Sequence, residues 1–406
     1  MKVKARGFTA LGAILCSLAA IAVSSTHAAP ALETYNIDHD QISVSGLSSG
    51  GNMAVQMHVA FSASVMGAGV LAAGPYLCAE GNVLYATTRC LDSEFAYLPS
   101  AAYFRELTLE EEAAGRIDAT SNLADDRIWI YTGGEDDVVL NRVTDLLHEY
   151  YESFARPEGI AYLRDEQRDA QHAMITDDYG KPCDFKGGAY INDCDFDAAG
   201  ALLQHIHGAL EPPVEAPGDN LKTFDQAAFS GTSSLGDEGY IYVPTNCESE
   251  TTTCRLHVAF HGCGQNKNKI GDVFARHAGY NDWAEANDIV VLYPQTGSAA
   301  VNQCWDWWGY TDLGVERNYA TQSGLQMAVA RAMIGRVAGE PRSSYCGADS
   351  IAAHVVAGRA YTRIGWWFWT YYYASGSDDY LGALGFTSTM LKETQPGYWE
   401  PVLSCP

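Results

Sequence analysis

The stretch "ISVSGLSSGGNMAV", residues 42–55, decides the fold. Its apolar residues first alternate with small polar ones, which predicts a strand, and the residues after them predict a helix. Between the two, residues 46–50 spell GLSSG and fit the pattern G-x-S-x-G. That pattern marks a sharp strand-to-helix turn on which the serine hydroxyl stands clear of the backbone. Ser48 is therefore a candidate nucleophile, although small residues also fill ordinary tight turns.

The order of strands and helices along the rest of the chain is typical of α/β proteins. Strand-like and helical stretches alternate from residue 36 to about 210, and "EPPVEAPGDN" at 211–220 interrupts them. A second group of strands follows, with helices near 271–287 and 320–338. Together with the serine motif, this order predicts an α/β-hydrolase fold in residues 29–340. Residues 341–406 form a small aromatic-rich C-terminal extension.

A serine nucleophile needs a base, and the base needs a carboxylate that orients it. The acid is expected just past a strand end, and "IYTGGEDDVV" at 130–139 offers a strand, two glycines and then three carboxylates. We predict Asp136 as the acid, with Asp137 as the alternative. The alternative interpretation is that these carboxylates form a solvated acidic turn with no catalytic role.

The base is found partly by elimination. The helical or strand patterns contain His148, His205, His207, His257 and His277, and His354 lies in the extension. In contrast, His172 lies in the polar loop "RDAQHAMITDD" after a strand-like segment, where a catalytic histidine can return over the serine. We predict His172 as the base, the alternative being an exposed loop residue.

Acyl transfer also needs backbone N–H groups that stabilise a developing oxyanion. The residue after the nucleophile, Ser49, supplies one, and a strand-to-loop His-Gly motif usually supplies the other. "LHVAFHGCGQ" at 256–265 is such a motif, but it follows the serine in the chain, whereas in an ordinary hydrolase it precedes it. Either the motif is accidental or the fold is circularly permuted.

Three tryptophans in four positions stand out in "QCWDWWGY", residues 303–310. Trp305, Trp307 and Trp308 offer large apolar surface at a small entropic cost, so beside an active site they would bind an apolar substrate. The alternative is that two of these rings belong to the core.

The first 28 residues have a basic start, an apolar centre and small residues at the end, which predicts a signal peptide and a secreted protein. Ten cysteines remain, an even number that indicates disulfides in an exported chain. The pairs with the shortest loops are Cys78–Cys90, Cys183–Cys194, Cys247–Cys254, Cys263–Cys304 and Cys346–Cys405. Because no C-x-x-C pair occurs, we expect no metal site.

The charge of the chain limits its partners. The net charge of −25 becomes −28 once Lys2, Lys4 and Arg6 leave with the signal peptide. Such acidity argues against nucleic acid and anionic membranes as partners. We expect a monomer.

Taken together, these segments resemble the extracellular poly(3-hydroxybutyrate) depolymerases, specifically the circularly permuted type with a single catalytic domain known from fungi. "GLSSGGNMA", "QHAMITDD", "FHGCGQ" and "CWDWWGYT" occur in the expected order, and the similarity covers about residues 36–340. The resemblance implies Ser48 as nucleophile, Asp136 as acid, His172 as base, and the backbone N–H groups of Ser49 and Cys263 as oxyanion donors.

The resemblance also implies an activity. A secreted serine esterase of this kind hydrolyses solid or oligomeric polyester to 3-hydroxybutyrate and short oligomers through an acyl-enzyme, without a metal or organic cofactor. One alternative is a secreted feruloyl or acetyl-xylan esterase, because such families share a motif of the H-G-C-G-Q type. Another is a polymer-binding protein without activity. In the extension, "GWWFWTYYY" at 365–373 is either a buried strand or a surface that adsorbs to polymer.

Overall fold

The structure is a computed structural model that describes residues 29–91, 97–229, 234–312, 317–340, 346–351, 354, 360–364, 370–375, 377, 379–384, 387–395 and 398–402. The predicted signal peptide, residues 1–28, lies outside the described residues. The strands are β1 Ile37–Leu47, β2 Gly67–Leu71, β3 Arg127–Gly133, β4 Ile160–Asp165, β5 Met174–Thr176, β6 Lys181–Pro182, β7 Ile191–Asp193, β8 Leu221–Asp225, β9 Glu238–Tyr242, β10 Cys254–Phe260, β11 Ile289–Tyr293, β12 Cys346–Ser350, β13 Ala360–Ile364, β14 Thr370–Ala374, β15 Tyr380–Gly382, β16 Ser388–Gln395 and β17 Tyr398–Pro401. The helices are α1 Ser49–Ala60, α2 Val83–Thr88, α3 Ala101–Ala113, α4 Asn141–Tyr151, α5 Ala198–His207, α6 Lys267–Ile270, α7 Val273–His277, α8 Tyr280–Asn287 and α9 Leu325–Val337.

One large sheet organises the fold. Its strand order is β4-β3-β2-β1-β10-β11-β9-β8. Neighbours from β4 to β11 are parallel, whereas β9 is antiparallel to β11 and to β8. A mostly parallel sheet with helices between its strands confirms the predicted α/β class.

The pairing of β1 with β10 explains the unusual order of motifs in the sequence. These strands lie side by side in parallel, with Gly46 opposite Phe260, although β10 follows β1 only after the whole first group of elements. The strand before the serine and the strand before the His-Gly motif therefore end at the same edge of the sheet. The fold is a circularly permuted α/β-hydrolase fold, in which the half containing β8 to β11 comes second in the chain.

The centre of the sheet is covered on both faces. Residues 42–47 of β1 and all five residues of β11 are buried. Every residue of α1 is buried as well, since this helix packs on β1, β2 and α9. Strands covered on both faces need apolar residues at successive positions, which explains runs such as Ile289–Tyr293. Among the described helices, none is both long and apolar enough to cross a membrane.

The helix predicted near 271–287 is interrupted in the structure. It forms α7 and α8, and Gly279 between them has a φ of 88°. This left-handed conformation favours glycine and ends a regular helix. The helix predicted at 320–338 is shorter, since α9 begins at Leu325 and ends at Val337.

Four of the five predicted cysteine pairs are disulfides in the structure. They are Cys78–Cys90, Cys183–Cys194, Cys247–Cys254 and Cys263–Cys304. The fifth, Cys346–Cys405, includes a cysteine outside the described residues.

Beyond α9 the chain forms small antiparallel sheets that are separate from the large one. Their orders are β12-β16-β17 and β13-β14-β15. Residues 365–369 of the aromatic run lie outside the described residues, and Tyr371, Tyr372 and Tyr373 in β14 are half-buried. The choice between a buried strand and an adsorbing surface therefore stays open for this run, and the domain boundary near residue 340 stays a prediction.

Candidate active site

Ser48 lies at the tip of the turn between β1 and α1. Its φ of 58° and ψ of −121° are unusual for a residue with a side chain, and such strain persists only where the surroundings enforce it. The Ser48 N–H donates to the carbonyl oxygen of Leu71 at 2.9 Å, and its own carbonyl oxygen accepts from the Asn52 N–H at 2.9 Å. These bonds anchor the turn between two strands and the first turn of α1.

The two glycines of the GLSSG motif allow the close approach that the turn requires. A Cβ on Gly50 would lie 2.1 Å from the carbonyl oxygen of Phe260, and one on Gly46 would lie 2.3 Å from the carbonyl carbon of Gly50. No side chain fits at such distances. The motif thus brings α1 directly against the end of β10, where the His-Gly loop begins.

The predicted acid and base form a buried pair. The Nδ1 atom of His172 lies 2.8 Å from Oδ2 of Asp136, and each residue is 5% exposed. The other carboxylate oxygen, Oδ1, accepts the backbone N–H groups of Val138 and Val139, each at 2.9 Å. Because the ionised carboxylate accepts from Nδ1–H, it selects the tautomer that leaves Nε2 free to accept a proton.

The alternative acid, Asp137, points elsewhere. Its carboxylate pairs with the ammonium of Lys186 at 2.6 Å, and its side chain is 58% exposed. The structure therefore brings Asp136 and not Asp137 to the histidine.

The acid turn and the histidine loop are held together by backbone contacts. The Glu135 N–H donates to the carbonyl oxygen of Ala170 at 3.1 Å, and the Gly134 N–H donates to that of Asp165 at 2.8 Å. A Cβ on Gly133 would lie 2.2 Å from the Ala170 oxygen, so only glycine permits this approach. The glycines before the carboxylates thus place the acid within reach of the base.

Ser48 and His172 line one cavity of about 280 Å³. Among the described residues they form no direct hydrogen bond to each other, and such bonds are often long before substrate binds. Of the histidines that the structure describes, only His172 lines this cavity. By contrast, His257 is buried between the hydroxyls of Ser43 and Ser45, and burial lowers its pKa well below the usual value.

The His-Gly loop forms another wall of the cavity. Gly262 and Cys263 both line it beside Ser48. Within the described part of the chain, the backbone N–H groups of Ser49 and Cys263 make no hydrogen bond. Cys263 lines the cavity, whereas Ser49 lies directly behind the cavity residue Ser48 in the chain and is 1% exposed.

Two residues that position this loop were not recognised in the sequence. Gln265 accepts the Gly262 N–H at Oε1 (2.6 Å) and donates from Nε2 to the carbonyl oxygen of Ala189 (2.8 Å). His261 is fully buried and accepts the Thr296 N–H at Nε2 (3.2 Å). Burial lowers the pKa of His261 to about 4, so the ring is neutral and donates from Nδ1 to the Gly262 carbonyl oxygen at 2.7 Å. Both residues belong to the H-G-C-G-Q motif, but Ala189 and Thr296, the partners that anchor them, lie in other segments of the chain.

The three tryptophans have different environments. Trp307 and Trp308 line the cavity. The prediction that Trp305 binds substrate is wrong, because its side chain is completely buried and its ring packs edge-on against Phe260 at 5.1 Å. Of the two cavity tryptophans, Trp307 is 5% exposed and Trp308 is half-buried.

Most of the remaining lining is apolar. Its side chains come from α2, from the segment after it, from the acid turn and from the loop before the tryptophans: Val83, Ala86, Leu91, Val138 and Val301. Val83 and Val301 are 61% and 44% exposed, so they form a hydrophobic rim. Among the described residues, no group of three or more His, Cys, Asp or Glu side chains is placed to hold a metal ion. The arrangement suits nucleophilic attack on an apolar ester.

Comparison with known proteins identifies relatives of the chain. No family model matches it. A poly(3-hydroxybutyrate) depolymerase of Delftia acidovorans is 45% identical over 325 residues, which cover 79% of this chain and 64% of the relative. A polyhydroxybutyrate depolymerase of Talaromyces funiculosus is 33% identical over 328 residues, which cover 76% of this chain and 92% of the relative. The chain thus spans less than two thirds of the Delftia protein and nearly all of the Talaromyces protein.

Solved structures agree with these relatives. A PHB depolymerase with a serine-to-alanine substitution, in complex with an R3HB trimer, superposes with a TM-score of 0.69 at 32% identity. The PHB depolymerase from Penicillium funiculosum gives a TM-score of 0.67 at 30% identity. Each match covers 76% of this chain and 99% of the solved chain. The resemblance drawn from the sequence motifs is confirmed, and the chain belongs to the poly(3-hydroxybutyrate) depolymerase family.

Proposed function

We propose that this protein is a secreted serine esterase that hydrolyses poly(3-hydroxybutyrate)-type polyesters to 3-hydroxybutyrate monomers and oligomers. The observation that carries the proposal is the buried Asp136–His172 pair, whose histidine opens onto the same apolar cavity as Ser48. Membership of the depolymerase family and the trimer bound to a relative support this substrate class.

The geometry supports a two-step mechanism. The Ser48 hydroxyl attacks the ester carbonyl while Nε2 of His172 accepts its proton, and Asp136 stabilises the imidazolium that forms. The backbone N–H groups of Ser49 and Cys263 then donate to the developing oxyanion. His172 returns the proton to the departing alcohol, which leaves an acyl-enzyme on Ser48. Water activated by the same histidine releases the acid.

The cavity suits an aliphatic polyester in particular. Ester groups carry no charge, and the methyl and methylene groups of such a chain match the apolar side chains of Val138, Trp307 and Trp308. The hydrophobic rim at Val83 and Val301 extends this surface towards solvent. Solid or oligomeric polyester is therefore the proposed partner of the chain.

Secretion is part of the proposal. The N-terminal segment predicted as a signal peptide and the four disulfides both fit an oxidising compartment. We further propose that the enzyme acts as a monomer, without nucleic acid or membrane as a partner, in keeping with its acidic sequence.

The test compares wild type with Ser48→Ala on suspended poly(3-hydroxybutyrate) granules, measuring the clearing of turbidity and the release of 3-hydroxybutyrate. Removing a triad nucleophile lowers the rate by about 10⁴-fold or more. Ser64→Ala is the matched control, because Ser64 lies just beyond α1 and donates only to the Phe61 carbonyl oxygen. Equal activity of wild type and Ser48→Ala would refute the proposal.

The same preparation tests the alternative substrates. A feruloyl or acetyl-xylan esterase would release ferulate or acetate and leave the granules turbid. A protein that only binds polymer would be found in the granule pellet after centrifugation, and no product would be released.

A further inference from the structure

A buried carboxylate organises the loop that carries the cavity tryptophans. Asp306 is 1% exposed, and both of its oxygens are occupied. Its Oδ1 accepts the backbone N–H groups of Trp308, Gly309 and Tyr310 at 3.2, 2.7 and 3.0 Å. Its Oδ2 accepts the backbone N–H of Thr311 at 2.8 Å and the hydroxyl of the same residue at 2.5 Å. Five donors from four successive residues thus converge on one side chain.

The backbone of Asp306 is fixed from the opposite side. Its N–H donates to Oε1 of Gln326 at 2.7 Å, and its carbonyl oxygen accepts from Nε2 of Gln56 at 3.1 Å. Gln326 also donates to the Tyr310 hydroxyl at 2.9 Å, and that hydroxyl donates to the Cys304 carbonyl oxygen at 2.8 Å. The loop is therefore anchored to α1 and α9, two rigid elements of the core.

The two residues that follow Asp306 in the chain form part of the cavity wall. Trp307 and Trp308 pack against each other edge-on, with ring centroids 5.3 Å apart, and both line the cavity that contains Ser48. The ring of Tyr310, two residues further along the loop, lies 5.1 Å from that of Trp308. The orientation of the two tryptophans thus depends on a turn that the Asp306 carboxylate closes.

We propose that Asp306 is a positioning residue for the polyester chain, which acts by holding Trp307 and Trp308 in the orientation that binds substrate units beyond the scissile ester. This inference rests on the proposed function. It assigns Asp306 no contact with the reacting atoms, so the effect of its loss falls on the binding of long substrates.

The contacts favour an ionised aspartate. Four of the five groups that face the carboxylate are backbone N–H donors and only the Thr311 hydroxyl could accept, so a hydrogen on Oδ1 would be directed at an N–H group. Burial raises the pKa of Asp306, and the hydrogen bonds from Thr311, Gly309 and Tyr310 counteract this effect. In Asp306→Asn, the amide oxygen can still accept the three hydrogen bonds that Oδ1 accepts. The amide nitrogen that replaces Oδ2 is itself a donor, so it cannot accept a hydrogen bond from the Thr311 N–H. The substitution therefore loosens the turn while it changes side-chain volume very little.

The experiment measures kcat and KM of wild type and Asp306→Asn on two soluble esters: the linear trimer of (R)-3-hydroxybutyrate and p-nitrophenyl acetate. The short ester needs only the triad and the oxyanion donors. For the trimer we expect KM to rise about tenfold in the variant, with kcat/KM for p-nitrophenyl acetate changed by less than about twofold. Asp197→Asn is the matched control, since Asp197 also accepts a backbone N–H and a side-chain donor, from Gly200 and Trp283, but neither of these partners lines the cavity.

A double-mutant cycle separates positioning from general destabilisation. If Asp306 acts through the wall, Asp306→Asn adds little to the KM effect of Trp308→Ala, whereas independent effects would multiply. Thr311→Val removes the hydroxyl donor alone and serves as the milder variant if Asp306→Asn does not fold.

The outcomes are distinct. A selective rise in the trimer KM that is not additive with Trp308→Ala supports the inference. An equal loss on both esters, no loss on either, or full additivity overturns it. Wild-type enzyme that cleaves p-nitrophenyl acetate but not the trimer would instead refute the proposed substrate.

Discussion

The disulfide between Cys263 and Cys304 joins the His-Gly loop to the loop that carries the cavity tryptophans. Cys263 lies directly after the His-Gly pair, and Cys304 lies one residue before Trp305. One covalent bond therefore couples the loop with the proposed oxyanion donor to the wall proposed to bind substrate.

We expect the double substitution Cys263→Ala/Cys304→Ala to reduce activity before it unfolds the protein. Small displacements of catalytic groups cost roughly 10- to 100-fold in rate, whereas loss of a native disulfide costs about 2–5 kcal/mol of stability in small secreted domains. The measurement is kcat/KM for p-nitrophenyl acetate well below the melting temperature. The control is Cys247→Ala/Cys254→Ala, whose bridge lies at the start of β10, the end of the strand opposite the His-Gly loop. An unchanged kcat/KM in the first variant would contradict the bracing role.

A second prediction concerns the orientation of the base. Asp136→Asn should lower kcat by about 10³- to 10⁴-fold, because an amide no longer selects the tautomer of His172 with a free Nε2. Asp137→Asn should leave kcat near that of wild type, since Asp137 is exposed and pairs with Lys186. The two variants differ by one position in the same turn, so a reversed result would identify Asp137 as the acid.

The candidate triad could be predicted from sequence because each member follows a local signal. Ser48 lies in a pattern that fixes a backbone turn, and Asp136 follows a strand that ends in two glycines. His172 could be selected because the histidines weighed against it lie in regular elements or in the extension, namely His148, His205, His207, His257, His277 and His354. The predicted strands of the large sheet also match the structure, since buried parallel strands are recognisable as short apolar runs.

The parts of the site that were missed depend on contacts between distant segments. Nothing in "CWDWWGY" distinguishes Trp305 from its neighbours, because its burial results from packing against Phe260 on β10. Likewise, the role of Gln265 depends on the carbonyl oxygen of Ala189, which only the folded chain brings near. The helix near 271–287 was predicted as one because periodicity does not reveal that Gly279 adopts a positive φ.

A third prediction concerns stability at acid pH. Burial lowers the pKa of His261 to about 4 from 6.5, so the unfolded chain binds a proton at this residue that the folded chain does not. Between those values the unfolded state binds more protons, and the free energy of unfolding therefore falls as the pH drops from 6.5 towards 4. Urea unfolding at several pH values measures this slope. His261→Asn should reduce the slope without abolishing it, because burial also lowers the pKa of His207 and of His257. His39→Asn should leave the slope unchanged, because the His39 side chain is 55% exposed. An identical slope in all three proteins would show that His261 contributes nothing to it.

The last prediction concerns the extension beyond residue 340, which we expect to promote contact with solid polymer more than chemistry. Tyr380 is 56% exposed and packs beside Tyr371 and Tyr373, so part of an aromatic cluster faces solvent. Truncation after Pro341 keeps α9 and its Arg331–Glu340 ion pair, whose closest N···O distance is 2.8 Å. The truncated enzyme should retain activity on a soluble p-nitrophenyl ester and lose activity on polyester granules.

Tyr380→Ser in the full chain provides the matched point variant, because it removes an exposed ring without removing a strand. If the ring adsorbs to an apolar surface, this variant should bind less well to granules in a centrifugation assay while its soluble-ester activity stays at the wild-type level. Insoluble truncated protein that has lost both activities would instead make the extension a structural cover of the catalytic domain. Unchanged activity on granules after truncation would contradict a role in adsorption and leave contact with the polymer to the rim formed by Val83 and Val301.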